Sequence, residues 1–167
     1  DLADQGIIRG TSPNTFSPGA NITRADFAIL LVRAFDLQAD ATAEDNFADV
    51  AANAYYAEEL AVAKKAGIVL GIGGNKFNPQ GYISRQDMMV MLDRALAKMG
   101  VSLDRADASV LDGFNDAAMI SDYAKDAAAR MVHNGLIAGS NGKINPKGFA
   151  TRAEIAVLLQ RVLKEIR

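Results

Sequence analysis

The sequence predicts an all-α, mainly helical fold: helix–loop–helix repeats set as a pseudo-threefold trimer with a central three-helix bundle and three lobes. Three observations predict it. One order of blocks recurs along the chain. Apolar residues fall at helical spacing inside one of those blocks. Segments rich in Gly, Asn and Pro separate the helical stretches.

The recurrence is read by aligning on an arginine. "GIIRG" (residues 6–10), "GIVLG" (67–71) and "GLIAG" (135–139) come first. "FSP" (16–18), "FNP" (77–79) and "INP" (144–146) follow, then "TRAD", "SRQD" and "TRAE". From the first glycine to the arginine the spacing is 18, 18 and 17 residues. Self-similarity at this period marks a repeat architecture. Residues 47–67 also parallel residues 114–135, whereas before its glycine the first unit has only "DLADQG". The chain is therefore expected to begin inside the first helix of a repeat whose front is missing. This divides it into residues 1–40 (the carboxyl-terminal half of repeat one), 41–100 (repeat two) and 101–167 (repeat three).

Within a repeat, the first helix is expected at residues 56–66 and 122–133. Each ends at a glycine, the usual left-handed cap. The loop's Gly, Asn and Pro punctuate against helix, and the "GIIRG"-type segments are candidates for short strands. The second helix carries the clearest pattern. Phe27, Leu30, Leu31, Ala34 and Phe35 lie on one face, as do Met88, Met91, Leu92, Ala95 and Leu96, and Ile155, Leu158, Leu159, Val162 and Leu163. A unit of about 60 residues buries little core alone, so the three stripes are expected to pack on one another.

Thr23, Ser84 and Thr151 are suited to be N-caps, and Asp26, Asp87 and Glu154 sit at the capping-box position three residues on. Arg24, Arg85 and Arg152 fit less well, because a cation at the first helical position opposes the helix dipole. They lie at the border of the apolar stripe, toward a seam between lobes. There a guanidinium beside exposed backbone N–H groups can receive a carboxylate or phosphate. The other reading is an inter-repeat ion pair, and the two are compatible if a ligand completes the network. Arg33, Arg94 and Arg161 recur nine residues later, on the side of Asp26, Asp87 and Glu154, and are expected in ion pairs.

Composition narrows the function. Half of the residues are hydrophobic, and the net charge is −2. The first marks a packed globular chain; the second argues against counterion-driven nucleic-acid binding. No apolar run approaches the ~18 residues of a membrane span. With no cysteine, disulfides, thiolate metal sites and cysteine nucleophiles are excluded. His133, the one histidine, falls in the last turn of a helix, where an imidazolium suits the dipole. "DRADASVLDGFND" (104–116) lacks EF-hand spacing and reads as a solvated linker. "GIGGN" (71–75) is not followed by the Lys-Ser/Thr of a phosphate loop. The recurring carboxylates serve as caps rather than as an opposed glycosidase pair. An enzyme is not expected, and no cofactor is called for.

In this order, "F-x-D", "Y-A", "G-I-x-x-G", "F-x-P" and "T-R-A-E" resemble the S-layer homology family over nearly the whole chain. The resemblance implies three tandem repeats folded as a three-lobed pseudo-trimer. It implies a non-catalytic, extracellular anchor at the cell wall or S-layer. The implied partner is a secondary cell-wall polysaccharide bearing a pyruvate ketal on N-acetylmannosamine. The ketal carboxylate would meet Arg24, Arg85 and Arg152. Gly10, Gly71 and Gly139 would let backbone approach the sugar. The acidic and aromatic groove positions fall on Asp49 with Tyr56 and on Asp116 with Tyr123, tyrosine standing for the family's tryptophan. Neither nucleic acid nor membrane insertion is implied. Repeat one lacks its own aspartate and aromatic, so its groove is complete only if the missing segment or another chain supplies them. Arg85 and Arg152 are therefore the favoured sites, and their loss is expected to weaken glycan binding without lowering the melting temperature. The rival reading is a protein–protein assembly module of the cell surface, with self-association.

Overall fold

The computed structural model describes residues 19–165, which are mainly helical. Five α-helices run in order: α1 (Arg24–Ala34), α2 (Ala57–Lys65), α3 (Arg85–Lys98), α4 (Lys125–His133) and α5 (Arg152–Glu165). Short 3-10 turns lie at Ala43–Asp45, Ala108–Leu111, Ala117–Met119 and Asp122–Ala124. The expected glycine caps are present, with Gly67 and Gly135 at φ +81° and +74°. "GIVLG" and "GLIAG" are not strands, and the "GIIRG" segment lies outside the described residues. Each of the two described segments leads into a tight turn closed by a single bridge, Gly73 to Lys76 and Ser140 to Lys143.

The N-caps form as their spacing predicts. Thr23 Oγ1, Ser84 Oγ and Thr151 Oγ1 accept from the N–H of Asp26, Asp87 and Glu154 at 3.1, 3.2 and 3.2 Å. Among these, Glu154 reaches back to the cap N–H, at 3.3 Å. The shorter aspartates turn elsewhere.

Just before each second helix, the chain takes part in a closed ring. The Ile83 N–H donates to the Ile22 carbonyl (3.0 Å), Ala150 N–H to Ile83 (3.1 Å), and Ile22 N–H to Ala150 (3.4 Å). All three residues are buried. The next amides donate the opposite way round. Arg24 and Ala25 donate to Gly81 and Pro79, Arg85 and Gln86 to Gly148 and Pro146, and Arg152 to Ala20. Each second helix thus gives its first free N–H groups to the loop of the following repeat, and the third repeat gives its own to the first. These amides were expected to stand exposed as an anion site. They are occupied because a helix start buried in a seam must satisfy its orphan donors.

Helix packing also crosses repeat boundaries. α1 packs on α2 and α3, and α3 packs on α4. Ion pairs seal two of these three contacts, α1 with α2 and α3 with α4. Arg33 meets Glu59 at 3.0 Å, and Arg130 grips Asp93 through two bonds of 2.9 and 2.5 Å. The apolar stripes are buried, Ala34 partly so. In α1, burial extends past one face to Ala25, Ala28, Ile29 and Val32, because this helix is covered from two sides. Met88, Met91 and Met131 are core residues. Residues 108–111 correct the linker reading: Asp107 caps a 3-10 turn, Leu111 is buried, and the turn packs on α4.

Candidate functional site

Two grooves form at equivalent positions. Groove one, about 450 Å³, is lined by Arg24, Gly71, Phe77, Asp87, Arg94 and Tyr123, with Leu70 and Ile72 at the same loop. Groove two, about 400 Å³, is lined by Arg85, Gly139, Glu154, Val157 and Arg161, with Ala138 in the loop. Both volumes are in the range of small-ligand sites. Groove one draws on all three repeats: Arg24 from the first, the loop and α3 from the second, and Tyr123 from the third. The repeat-one arginine therefore sits in a complete groove, because its helix start docks on the loop of repeat two. The expectation that Arg24 occupies the poorest groove is corrected on this point. Arg152 starts α5, with its backbone on Ala20. Gly10 lies outside the described residues.

The motif arginines are held on several sides. Arg24 is 8% exposed. Its Nε donates to the Phe77 carbonyl at 2.8 Å, its Nη1 meets Asp87 Oδ2 at 2.7 Å, and the guanidinium lies 4.6 Å from the Phe77 ring centre. Arg85 repeats this: its Nε donates to the Ile144 carbonyl at 2.9 Å, and its Nη1 pairs with Glu154. Ile144 offers no aromatic face, so repeat three keeps the bonds and lacks the cation–π contact. Burial pulls the Arg85 guanidinium below its ordinary pKa, against the attraction of Asp116. The inter-repeat ion-pair reading thus describes both arginines.

Asp49 and Asp116 clamp loops. Asp49 accepts from the N–H groups of Phe77 and Asn78 at 3.0 and 2.8 Å, and Asp116 from those of Ile144 and Asn145 at 2.9 and 2.8 Å. Partial burial works to raise both pKa values, but the backbone donors outweigh it and hold both carboxyls below the usual range. Gly71 and Gly139 are required by packing. At φ +87° and +75°, an added Cβ would lie 2.5 and 2.7 Å from the carbonyls of Lys76 and Lys143 and press on Phe47 or Phe114.

The tyrosines need one correction. Tyr56 is 6% exposed and belongs to the core, while the neighbouring Tyr55 is 71% exposed. Tyr55 matches Tyr123. Its hydroxyl donates to Asp26 Oδ1 at 2.6 Å, as that of Tyr123 does to Asp87 Oδ1 at 2.6 Å. Burial and the adjacent carboxylates push both phenols up to about 12, so both are neutral donors at physiological pH. The adjacent pair "YY" left the register open by one residue.

Sequence reasoning also missed Gln86. It is buried, donating to Ser121 Oγ and the Tyr123 hydroxyl at 3.0 and 3.2 Å and accepting from the Ser121 N–H at 3.0 Å. The departure of "SRQD" from "TRAE" is its signal, since a polar side chain replaces alanine at a seam. Arg33 forms its expected ion pair, but Arg94 makes no hydrogen bond or ion pair among the described residues, and Arg161 donates to the Leu136 carbonyl at 3.4 Å. His133 is exposed at the end of α4. Among the described residues no group of acids or histidines is placed to hold a metal, and no helix is long and apolar enough to cross a membrane.

The arrangement has a family counterpart. The model of the S-layer homology domain matches residues 1–28, 46–89 and 113–156. The chain belongs to this family. S-layer homology domains are in general non-catalytic cell-wall anchoring modules. The chain is 31% identical over 169 residues to the surface-layer 125 kDa protein of Lysinibacillus sphaericus, covering 99% of this chain and 14% of that one. It is 30% identical over 155 residues to S-layer protein EA1 of Bacillus anthracis, covering 93% and 17%. It is 31% identical over 165 residues to an amylopullulanase of Thermoanaerobacterium thermosulfurigenes, covering 98% and 9%. The chain thus spans less than a fifth of the length of these relatives.

Proposed function

We infer that this chain anchors a larger protein outside the cell, at the wall or S-layer. It would do so by binding a secondary cell-wall polysaccharide, through a pyruvylated N-acetylmannosamine terminus, in its inter-repeat grooves. The observation that carries this reading is the recurrence of one groove at two seams. Each combines a motif arginine, its acid partner, a second arginine and a glycine-built loop. One acid against two arginines leaves each groove with a net charge of +1, a match for a single carboxylate. The grooves would be seams of a pseudo-threefold trimer, a reading that the closed hydrogen-bond ring supports.

Sedimentation with purified sacculi tests this. Binding is expected to intact sacculi and to disappear once the polysaccharide is chemically removed. Binding that survives removal would favour the assembly reading. That rival draws on the Tyr82–Phe149 pair, whose exposed rings lie edge to face with centres 5.5 Å apart.

A further inference from the structure

We propose that Arg94 is the residue that meets the ligand's carboxylate, and that groove one is the principal binding groove. The inference rests on the glycan reading above and assigns its anion contact to a residue outside the TRAE-type motif.

Arg24 is poorly free to serve. Its Nε is committed to a carbonyl, its Nη1 to Asp87, and one face to the Phe77 ring. Asp87 also takes the Tyr123 hydroxyl, so the acid and its arginine form a closed unit in the groove. Arg94 stands two helical turns from Asp87 on the same face of α3, and lines the same groove. It is half-buried, yet it has no bond or ion pair among the described residues. A cation kept partly out of water beside a neutralised pair is the group that gains most from an arriving carboxylate, and its guanidinium can grip one bidentately.

The two grooves differ at this point. Arg161, the counterpart in groove two, donates to Leu136. Groove one also has Leu70 and Ile72, 66% and 59% exposed, where groove two has the smaller Ala138 in its loop and Val157, 45% exposed, on α5. Groove one therefore pairs an unengaged cation with an apolar rim. That suits a sugar whose carboxylate sits beside a methyl or acetyl group.

The test is calorimetric titration of the whole chain with a pyruvylated N-acetylmannosamine glycoside and with its methyl ester. Arg94→Gln is expected to weaken acid binding about tenfold or more. Arg94→Lys should fall between that variant and wild type, and Arg161→Gln should lose less. Lys98→Gln, a charge-matched change at the exposed end of α3, is expected to bind as wild type does. Wild type should prefer acid to ester, and Arg94→Gln should lose that preference while keeping the wild-type melting temperature. If wild type binds the acid but Arg94→Gln binds it equally well, the assignment of Arg94 is overturned and the glycan reading stands. A greater loss in Arg161→Gln would move the principal site to groove two and overturn the inference. If wild type binds neither acid nor ester, the glycan reading fails, and this inference with it.

Discussion

Arg24 opposes the dipole of its own helix, at a cost of a few tenths of a kcal/mol, and is bonded across the seam instead. Its partners belong to another repeat: the Phe77 carbonyl, the Phe77 ring and the Asp87 carboxylate. Truncation would leave Asp87 partly buried without its cation, and breaking such a pair is costly. Arg24→Ala is expected to destabilise the fold by about 2–3 kcal/mol, measured by chemical denaturation. An unchanged midpoint would show that the pair is a ligand site held at no structural value. The same reasoning reverses the expectation that Arg85→Ala leaves the melt intact, because Arg85 is bound to Glu154 and Ile144. Arg94, lacking such bonds, is where binding and stability should separate.

At the scale of elements, the helices were legible because their physics is local. Hydroxyl caps, the i, i+3, i+4 stripes and terminal glycines each act within a turn or two of chain. The loops were legible as loops, but the reason for their glycines was not. Gly71 is required because the turn runs at φ +87° and the Lys76 carbonyl lies where a Cβ would go. Gly71→Ala is therefore expected to cost about 2 kcal/mol or more, read as a lowered midpoint in denaturant. If the glycine served ligand approach alone, the variant would bind poorly while melting as wild type does. Tyr55 and Tyr56 show the limit of reading by register. Adjacent tyrosines look alike in sequence, and burial alone tells the exposed tyrosine that bonds Asp26 from the core residue.

At the scale of the molecule, the sequence repeat is not the packing unit. α1 pairs with α2 of the next repeat, α3 with α4, and the ring links residues 22, 83 and 150. Removing the third repeat opens the ring and strips α3 of α4, leaving only the α1–α2 and α1–α3 contacts. A chain ending at Gly100 would lose the Ala150 link, α4 and α5, exposing the core face of α3. It is expected to show no cooperative melting transition by circular dichroism, whereas the whole chain should melt in one. Independent, wild-type-like melting of the shortened chain would mean that the repeats fold singly.

The sequence was sufficient for the helical class, the repeats, the caps and the family, since these follow from short-range periodicity and from motifs whose order is itself the signal. Tertiary contact decided which repeat Arg24 and Arg85 serve, which of the two tyrosines bonds another repeat's acid and which cation is left unengaged. Those outcomes depend on hydrogen bonds between residues some sixty positions apart, such as Arg24 with Asp87 and Arg85 with Ile144. No spacing within a single helix encodes where another repeat's carbonyl will lie.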